Sequence, residues 1–302
     1  MKELIINADD FGLSSGANRA IIRAWQGGIL TSTSLMVGGK GFEEAVDLAR
    51  ENPGLQVGLH LTLVQGRAVA EHPGFPSIAD RDGNFTNDPV HGGMRYFFIK
   101  PLRRQLQREI EAQIERFLAT GIPLSHIDGH LNIHMHPVVF DILVELMPRY
   151  GVTSFRLSRE RFGTELGLSS RRVVGKAVDA FIFAQLANRC RPVLDRLGIA
   201  YTGEVKGLLN SGAMTEEYLL KAIDVLGEGV SEIYFHPGCH PDAELSKWMP
   251  DYRHEDELAA LTSLRVREKL KALGIRLRNY RGEAKETVLR STLMELSSSM
   301  AR

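Results

Sequence analysis

The sequence predicts an α/β fold, a single distorted TIM-like (β/α) barrel, and three observations carry that prediction. Short β-branched or apolar runs alternate with helical stretches from end to end, the pattern of parallel βα units. Eight such runs with seven helical stretches between them match the count of a barrel. Four clusters rich in Asp and His each fall at the carboxyl end of a run, where the loops of such barrels carry their active sites. The chain has 302 residues, 43% hydrophobic and 25% charged, which is ample for the core of one barrel and forces no second domain.

The first strand is expected at residues 2–7, where Leu4, Ile5 and Ile6 lead into Asn7-Ala8-Asp9-Asp10. A helix at 15–27, a strand at 32–37 and a helix at 41–51 follow. The third strand, 56–63, holds Gly58-Leu59-His60 in a run apolar enough to line a barrel. Residues 64–100 interrupt the alternation, being rich in Gly, Pro, Asn and Asp, and contain the run from Met94 to Lys100; they are too long for a simple connector and read as a substrate lid. A helix at 101–120 precedes the strand at 124–128, which enters His126-Ile127-Asp128-Gly129-His130. Pro137 then opens a helix at 137–149 with Val138, Val139, Ile142, Leu143 and Leu146 in helical spacing, as proline does at a first helical position. Strands at 153–157, 201–205, 231–235 and 275–280 alternate with helices at 170–197, 215–227 and 255–273. The barrel is thus expected over residues 1–281, with the polar, Ser-rich residues 282–302 as a mobile tail.

Composition excludes several classes. Basic and acidic residues balance at 37 each, so nothing draws the chain toward nucleic acid. Two cysteines and no charged-then-apolar leader argue against a secreted disulfide framework, and the cytoplasm is the expected location. No apolar stretch reaches the roughly 20 residues of a spanning helix. The nearest candidate, Val173 to Leu186, contains Lys176, Asp179 and Gln185.

The clusters carry the chemistry. Consecutive strand residues point to opposite faces, so Asp9 and Asp10 share a site only if the backbone turns, and Phe11-Gly12 supplies a turn. One carboxylate then ligates a cation while the other stands beside its water; the plainer alternative is that one of them caps the helix beginning near Ser14. His60 alone reads more readily as a core histidine than as a ligand. His126, His130, His134 and His136, crowded into eleven residues, exceed what a solvated loop needs. An Asp-His-His set suits zinc, cobalt, nickel or manganese better than calcium, and three protein ligands leave room for water and substrate. Asp128 and His134 either orient ligand rings from behind or contact substrate. His236, before the rigid Pro237-Gly238 turn, is suited to protonating a leaving amine near neutral pH. Arg156 either orients Asp9 through a charge-assisted bond or forms a surface salt bridge. Cys239, His72, His91 and His254 read as packing or surface residues.

Together Asn7-Ala8-Asp9-Asp10-Phe11-Gly12, Thr31-Ser32-Thr33-Ser34, Gly58-Leu59-His60, His126-Ile127-Asp128-Gly129-His130 and His236-Pro237-Gly238 resemble the signatures of the YdjC-like carbohydrate deacetylases. The resemblance runs from residue 2 to about residue 281 and implies the glycoside hydrolase/deacetylase type of barrel. It further implies a hydrolase that removes acetyl groups from N-acetylated sugars with one divalent ion, zinc, magnesium or another first-row divalent ion. Carried over by position, Asp10, His60 and His130 would be the metal ligands, Asp9 the general base and His236 the acid. Where many relatives have three consecutive histidines, this chain has His130-Leu131-Asn132, which keeps the ligand and puts the next two contacts in doubt.

The chain also resembles the branch associated with hopanoid biosynthesis, implying N-acetylglucosamine on a hopanoid lipid as substrate. The aromatic and basic run at Met94 to Lys100, continued by Arg103, Arg104 and Arg108, and the stretch with Arg171, Arg172, Lys176, Phe181 and Phe183 fit a peripheral contact at the inner face of a membrane. The bland alternative for the second is a packed amphipathic helix with a solvated basic face. Soluble N-acetylglucosamine oligosaccharides are the alternative substrate, and a homodimer is left open. The rival classes are a non-haem iron oxygenase, whose triad has the same residue types, a phosphoesterase, which would want bridging carboxylates, and a non-catalytic sugar-binding protein.

Overall fold

The computed structural model describes residues 1–74, 76–169 and 172–285. Its strands are β1 (Lys2–Phe11), β2 (Ser32–Leu35), β3 (Gln56–Leu61), β4 (Leu124–Gly129), β5 (Glu204–Lys206), β6 (Gly229–Phe235) and β7 (Arg276–Leu277). They form one curled sheet in the order β4-β3-β2-β1-β6-β5, every pair parallel, with β7 joined to the start of β1. The fold is the expected α/β class, a distorted TIM-like barrel.

The distortion lies at residues 153–157, expected as a strand. They make isolated bridges, Ile127 with Phe155 and Ser154 with Ala200, in place of a regular ladder. Backbone bonds from Arg156 N to Ile127 O (3.0 Å) and from Ala200 N to Thr153 O (2.8 Å) still close the circuit between β4 and the approach to β5. On the far side only the three residues of β5 follow Gly203, and glycine weakens a strand, so there is little for this stretch to pair with.

Helices cover the outside: α1 (Ser15–Gly27), α2 (Phe42–Glu51), α3 (Pro89–Phe98), α4 (Leu102–Ala119), α5 (Pro137–Leu146), α6 (Phe162–Leu168), α7 (Val173–Leu197), α8 (Glu216–Asp224), α9 (Ala243–Trp248), α10 (His254–Thr262) and α11 (Leu264–Ala272). Their starts follow local chemistry. The Ser14 side chain caps α1 by accepting from Ala17 N, and Pro137 occupies the first turn of α5. The single helix expected at 255–273 is two, because extended Ser263 turns its hydroxyl onto Val266 N and starts a new helix.

The apolar core sits between strands and helices. Leu4, Ile6 and Ala8 of β1, Val57, Leu59 and Leu61 of β3, and Ile233 and Phe235 of β6 pack with Ala20, Ile21 and Trp25 of α1, Ile110 and Ile114 of α4, and Leu219 and Ile223 of α8. The alternating positions face inward and are polar at the carboxyl end: Asn7 and Asp9, His60, His126 and Asp128, Arg156, Glu232. The interior of this barrel is therefore where the chemistry is held.

Residues 64–74 and 76–100, expected as a lid, are pinned against α4 and the chain that follows β3. Buried Glu109 of α4 accepts from Val69 N, Ala70 N and the His72 ring, and Tyr96 of α3 donates to Leu63 O at 2.5 Å. His72, read from sequence as a surface residue, has its side chain buried against that carboxylate. After β7, Ala284 bridges Arg278 and the Lys285 ammonium reaches Trp25 O and Leu30 O, so the start of the expected tail packs on the barrel. Residues 286–302 lie outside the described residues, as do 170–171, the expected beginning of α7.

Candidate active site

The site begins with a break in β1. Its pairing with β2 slips between Ala8 and Phe11, and Asp10 takes a left-handed backbone conformation, φ 66°. The turn thus falls on Asp10 itself, one residue before the expected Phe11-Gly12. Asp is among the few residues that tolerate this conformation, and the kink brings both carboxylates into the barrel mouth. Asp9 and Asp10 are nearly fully buried, and neither caps α1, whose cap is Ser14.

His60 and Asp128 face each other in the register of β3 and β4, and Asp128 Oδ1 lies 2.8 Å from His60 Nδ1. That bond leaves Nε2 of His60 toward Asp10, 3.4 Å from its Oδ1. His130 begins a 3-10 segment, His130–Met135, and its Nδ1 stands 3.1 Å from the same Asp10 oxygen. One ligand atom from each of Asp10, His60 and His130 falls within 4.8 Å of the others. Asp10 Oδ2, His60 Nε2 and His130 Nε2 are all buried without a hydrogen-bond partner.

Unpartnered polar atoms at such depth are costly unless something satisfies them. Electrostatics points the same way. Burial opposes charge on His60, yet Asp128, Asp10 and Asp9 outweigh it and raise the ring to about 10. Burial likewise opposes ionisation of Asp10, but His130 and His60 hold it well below the usual carboxylate range. The pocket demands positive charge, and the donor set, two imidazoles and a carboxylate with Asp128 behind one ring, fits a divalent cation.

Asp9 stands beside this set, in the other hands of the barrel. Arg156 forks it with two bonds of 2.7 Å, Asn7 Nδ2 donates to Oδ1 at 2.9 Å, and Ser34 adds a longer contact of 3.4 Å. Arg156 is fully buried, so the surface salt bridge weighed from sequence does not form. His236 follows β6 and presents Nε2 4.0 Å from Asp9 Oδ2, with Nδ1 unpartnered. Burial lowers its pKa, against the pull of Asp10 and Asp9. A cleft of about 360 Å³ opens over Asp9, His130 and His236 and is walled by Asn132, Tyr234, Trp248 and Tyr252.

His134 takes a different place. It is fully buried behind the site, with Nε2 2.9 Å from Arg156 O, and burial brings its pKa down to about 4. It is not among the residues that line the cleft, and its ring is bonded to the Arg156 carbonyl. In the stretch after His130, Leu131 and Asn132 are both left-handed, and Asn132, whose amide oxygen accepts from the Ser158 hydroxyl at 2.5 Å, lines the cleft.

Sequence reasoning missed several members. His254 is buried and donates toward the His236 carbonyl at 2.7 Å, while Glu257 accepts from His236 N at 2.5 Å. Glu232 and Tyr280 lie under Arg156. A charged residue leading the apolar run Ile233-Tyr234-Phe235 was a usable signal for Glu232; nothing in the sequence singled out Tyr280.

Comparisons with known proteins give the chain a family. The family model described as YdjC-like protein matches residues 3–272. A carbohydrate deacetylase of Brevibacillus brevis is 42% identical over 150 residues, covering 50% of this chain and 57% of that protein. Another, of Geobacillus stearothermophilus, is 40% identical over 146 residues, covering 48% and 56%. The match thus spans little more than half the length of these relatives. Among solved structures, a provisionally assigned cellobiose-phosphate cleavage protein of Enterococcus faecalis superposes with a TM-score of 0.72 at 27% identity, covering 94% of this chain and 99% of that one.

Proposed function

The chain belongs to the YdjC-like family, and from that membership we propose that it is a metal-dependent hydrolase that removes the acetyl group from an N-acetylated amino sugar. One observation carries the reading: Asp10, His60 and His130 bring ligand atoms within 4.8 Å of one another, each of the three keeps a buried unpartnered polar atom, and a second carboxylate, Asp9, stands beside them under an open cleft. The relatives named carbohydrate deacetylases support the same chemistry.

Asp10, His60 and His130 would hold the ion, and two imidazoles favour zinc or another first-row ion over magnesium. When bound, such an ion polarises the acetamide carbonyl and acidifies water. Asp9, aligned by the Arg156 fork, accepts the proton of the attacking water as the new C–O bond forms. His236, 4.0 Å from Asp9, gives a proton to the amine nitrogen as the C–N bond breaks, releasing acetate and a free amino sugar. Asn132 and Tyr234 line the cleft where sugar hydroxyls would lie.

For the substrate we favour N-acetylglucosamine on a lipid, a hopanoid by the resemblance of the chain. Exposed Val90, Met94, Phe97 and Phe98 on α3 and Val174, Val178, Phe181 and Ile182 on α7 support it, because both helices pack on α5 and α7 also lines the cleft through Phe183. Apolar side chains of this kind suit a peripheral contact with the cytoplasmic face of a membrane. Among the described residues no helix is long and apolar enough to cross one. A second observation favours soluble oligosaccharides: past Trp248 the cleft adjoins a trough of about 890 Å³ with Asp80, Asn84 and Arg95 on its walls. Zinc-loaded protein is to be incubated without oxygen with N-acetylglucosamine oligomers and with N-acetylglucosaminyl hopanoid, and acetate and free amine measured. Turnover of the hopanoid alone supports the lipid reading, turnover of the oligomers alone selects the soluble one, and no acetate from either refutes the deacetylase.

A further inference from the structure

Under Asp9 runs a line of contacts that the proton transfers above do not use. Tyr280, just beyond β7, donates its hydroxyl to Glu232 Oε2 at 2.6 Å, and Glu232 Oε1 accepts from Arg156 Nε at 2.7 Å. The opposite edge of that guanidinium forks Asp9, and its Nη2 also lies 2.9 Å from Asp128 Oδ2, the carboxylate that holds the His60 ring. One planar cation therefore joins three carboxylates that serve different ends of the site. The Tyr234 ring closes one face of it, 4.4 Å from Cζ, and the His126 ring stacks on Tyr280 with centroids 3.8 Å apart.

We infer that Glu232 and Tyr280 are positioning residues, which fix the plane of the Arg156 guanidinium and so hold Asp9 and Asp128 in one register. The argument is geometric. Two bonds to Asp9 define an edge of a flat group but leave it free to tilt about that edge; a third bond, at Nε, removes the tilt. Glu232 supplies that bond, and Tyr280 fixes the carboxylate that makes it. Stability alone is a poor account of the arrangement, since apolar groups of similar volume replace buried ion networks at little cost. Glu232 and Tyr280 are also too deep to meet substrate, both being absent from the cleft walls.

The kinetic half of this inference rests on the deacetylase reading; the structural half does not. Tyr280→Phe removes a single hydroxyl and Glu232→Gln a single charge, and both are to be compared with the double variant. Outer partners of this kind are worth about 10-fold or more in activity. Each variant is expected to lower kcat by about that factor with KM unchanged, and the double variant to lose no more than the worse single one, because both act through Arg156. Independently of turnover, the Arg156 Nε–H resonance of the metal-free protein, assigned by its loss in Arg156→Lys, is expected to shift in Tyr280→Phe although Arg156 is two contacts away. An unmoved resonance overturns the inference, as does a lowered melting temperature with kcat intact. If the wild type releases no acetate, the deacetylase reading falls and the resonance alone decides for or against the linkage.

Discussion

Asp9 and Asp10 are neighbours in the chain with different surroundings, so replacing each by Asn separates proton transfer from metal holding. In Asp9→Asn, Arg156 keeps Glu232 at 2.7 Å and Asp128 at 2.9 Å. The guanidinium is not stranded, and the loss of stability should stay below the roughly 3–5 kcal/mol of a broken buried pair. The orphaned atoms of Asp10, His60 and His130 are untouched. Zinc at 100 times its Kd should therefore still stabilise the variant by about 2.7 kcal/mol, a rise of roughly 4 °C in melting temperature for a chain of this size. Turnover should fall by about 10²–10⁴, the worth of a general base. Asp10→Asn removes the one charged ligand, and both the zinc-induced shift and turnover should collapse. Thermal melts with and without zinc, metal content and acetate release read out the pair. Loss of the zinc shift in Asp9→Asn, or its survival in Asp10→Asn, would refute the assignment.

Two further outcomes test the frame around the site. Burial raises Glu257, with Asp9 and Asp10 adding to the effect against the backbone N–H groups of His236 and Met214, from 4.5 to about 7. A carboxyl raised in the fold stabilises below its unfolded pKa and loses that contribution as pH climbs through the folded value, so Glu257 should cost up to roughly 3 kcal/mol between pH 4.5 and 7. Melts of Glu257→Gln should show that part of the slope gone; an identical slope would show that this carboxyl does not titrate there. Gly58→Ala places a Cβ 2.4 Å from Cε1 of the His126 ring, an overlap expected to cost about 1–3 kcal/mol in urea unfolding. A neutral result would mean that the ring, and Tyr280 stacked on it, moves aside freely.

Periodicity carried most of the fold. Helix α1 was legible to the residue because Ser14 and the apolar face of Ala17, Ala20, Ile21 and Ala24 agree, and α5 because Pro137 marks its start. The stretch at 153–157 was not, since its alternation reads as a strand whatever its neighbours offer, and β5 offers too little. In the site, Asp9, Asp10, His60, His130 and His236 were legible as types at strand ends, and they do converge. Of their supports, Asp128 and Arg156 were also legible, while those behind them were less so. Glu232 was open to the alternation of its own strand, since Ile233 and Phe235 take the helix side; His254 was not, because the first residue of α10 is buried only by its bonds to His236 O and Met249 O, partners far away in the chain or in a loop. Gly58 was legible as part of a motif, while its cause, the His126 ring packed against it from the adjacent strand β4, appears only in three dimensions.

The hexapeptide from Asn7 to Gly12 is best understood as one geometric device. A straight β1 would send Asp10 to the helix side, in line with Ile6 and Ala8, where an ionised carboxylate has no partner. The left-handed turn at Asp10, about 1–3 kcal/mol of strain for a residue other than glycine, avoids that larger cost by swinging the carboxylate toward His60 and His130. Gly12 completes the turn at φ 86°, where a Cβ would lie 2.9 Å from Met36 O. Asn7 braces the other side, accepting from Ser32 and donating to Asp9 and Ser34. Strain at one residue is thus compensated by contacts from its flanks, which explains why these residues work only as a set.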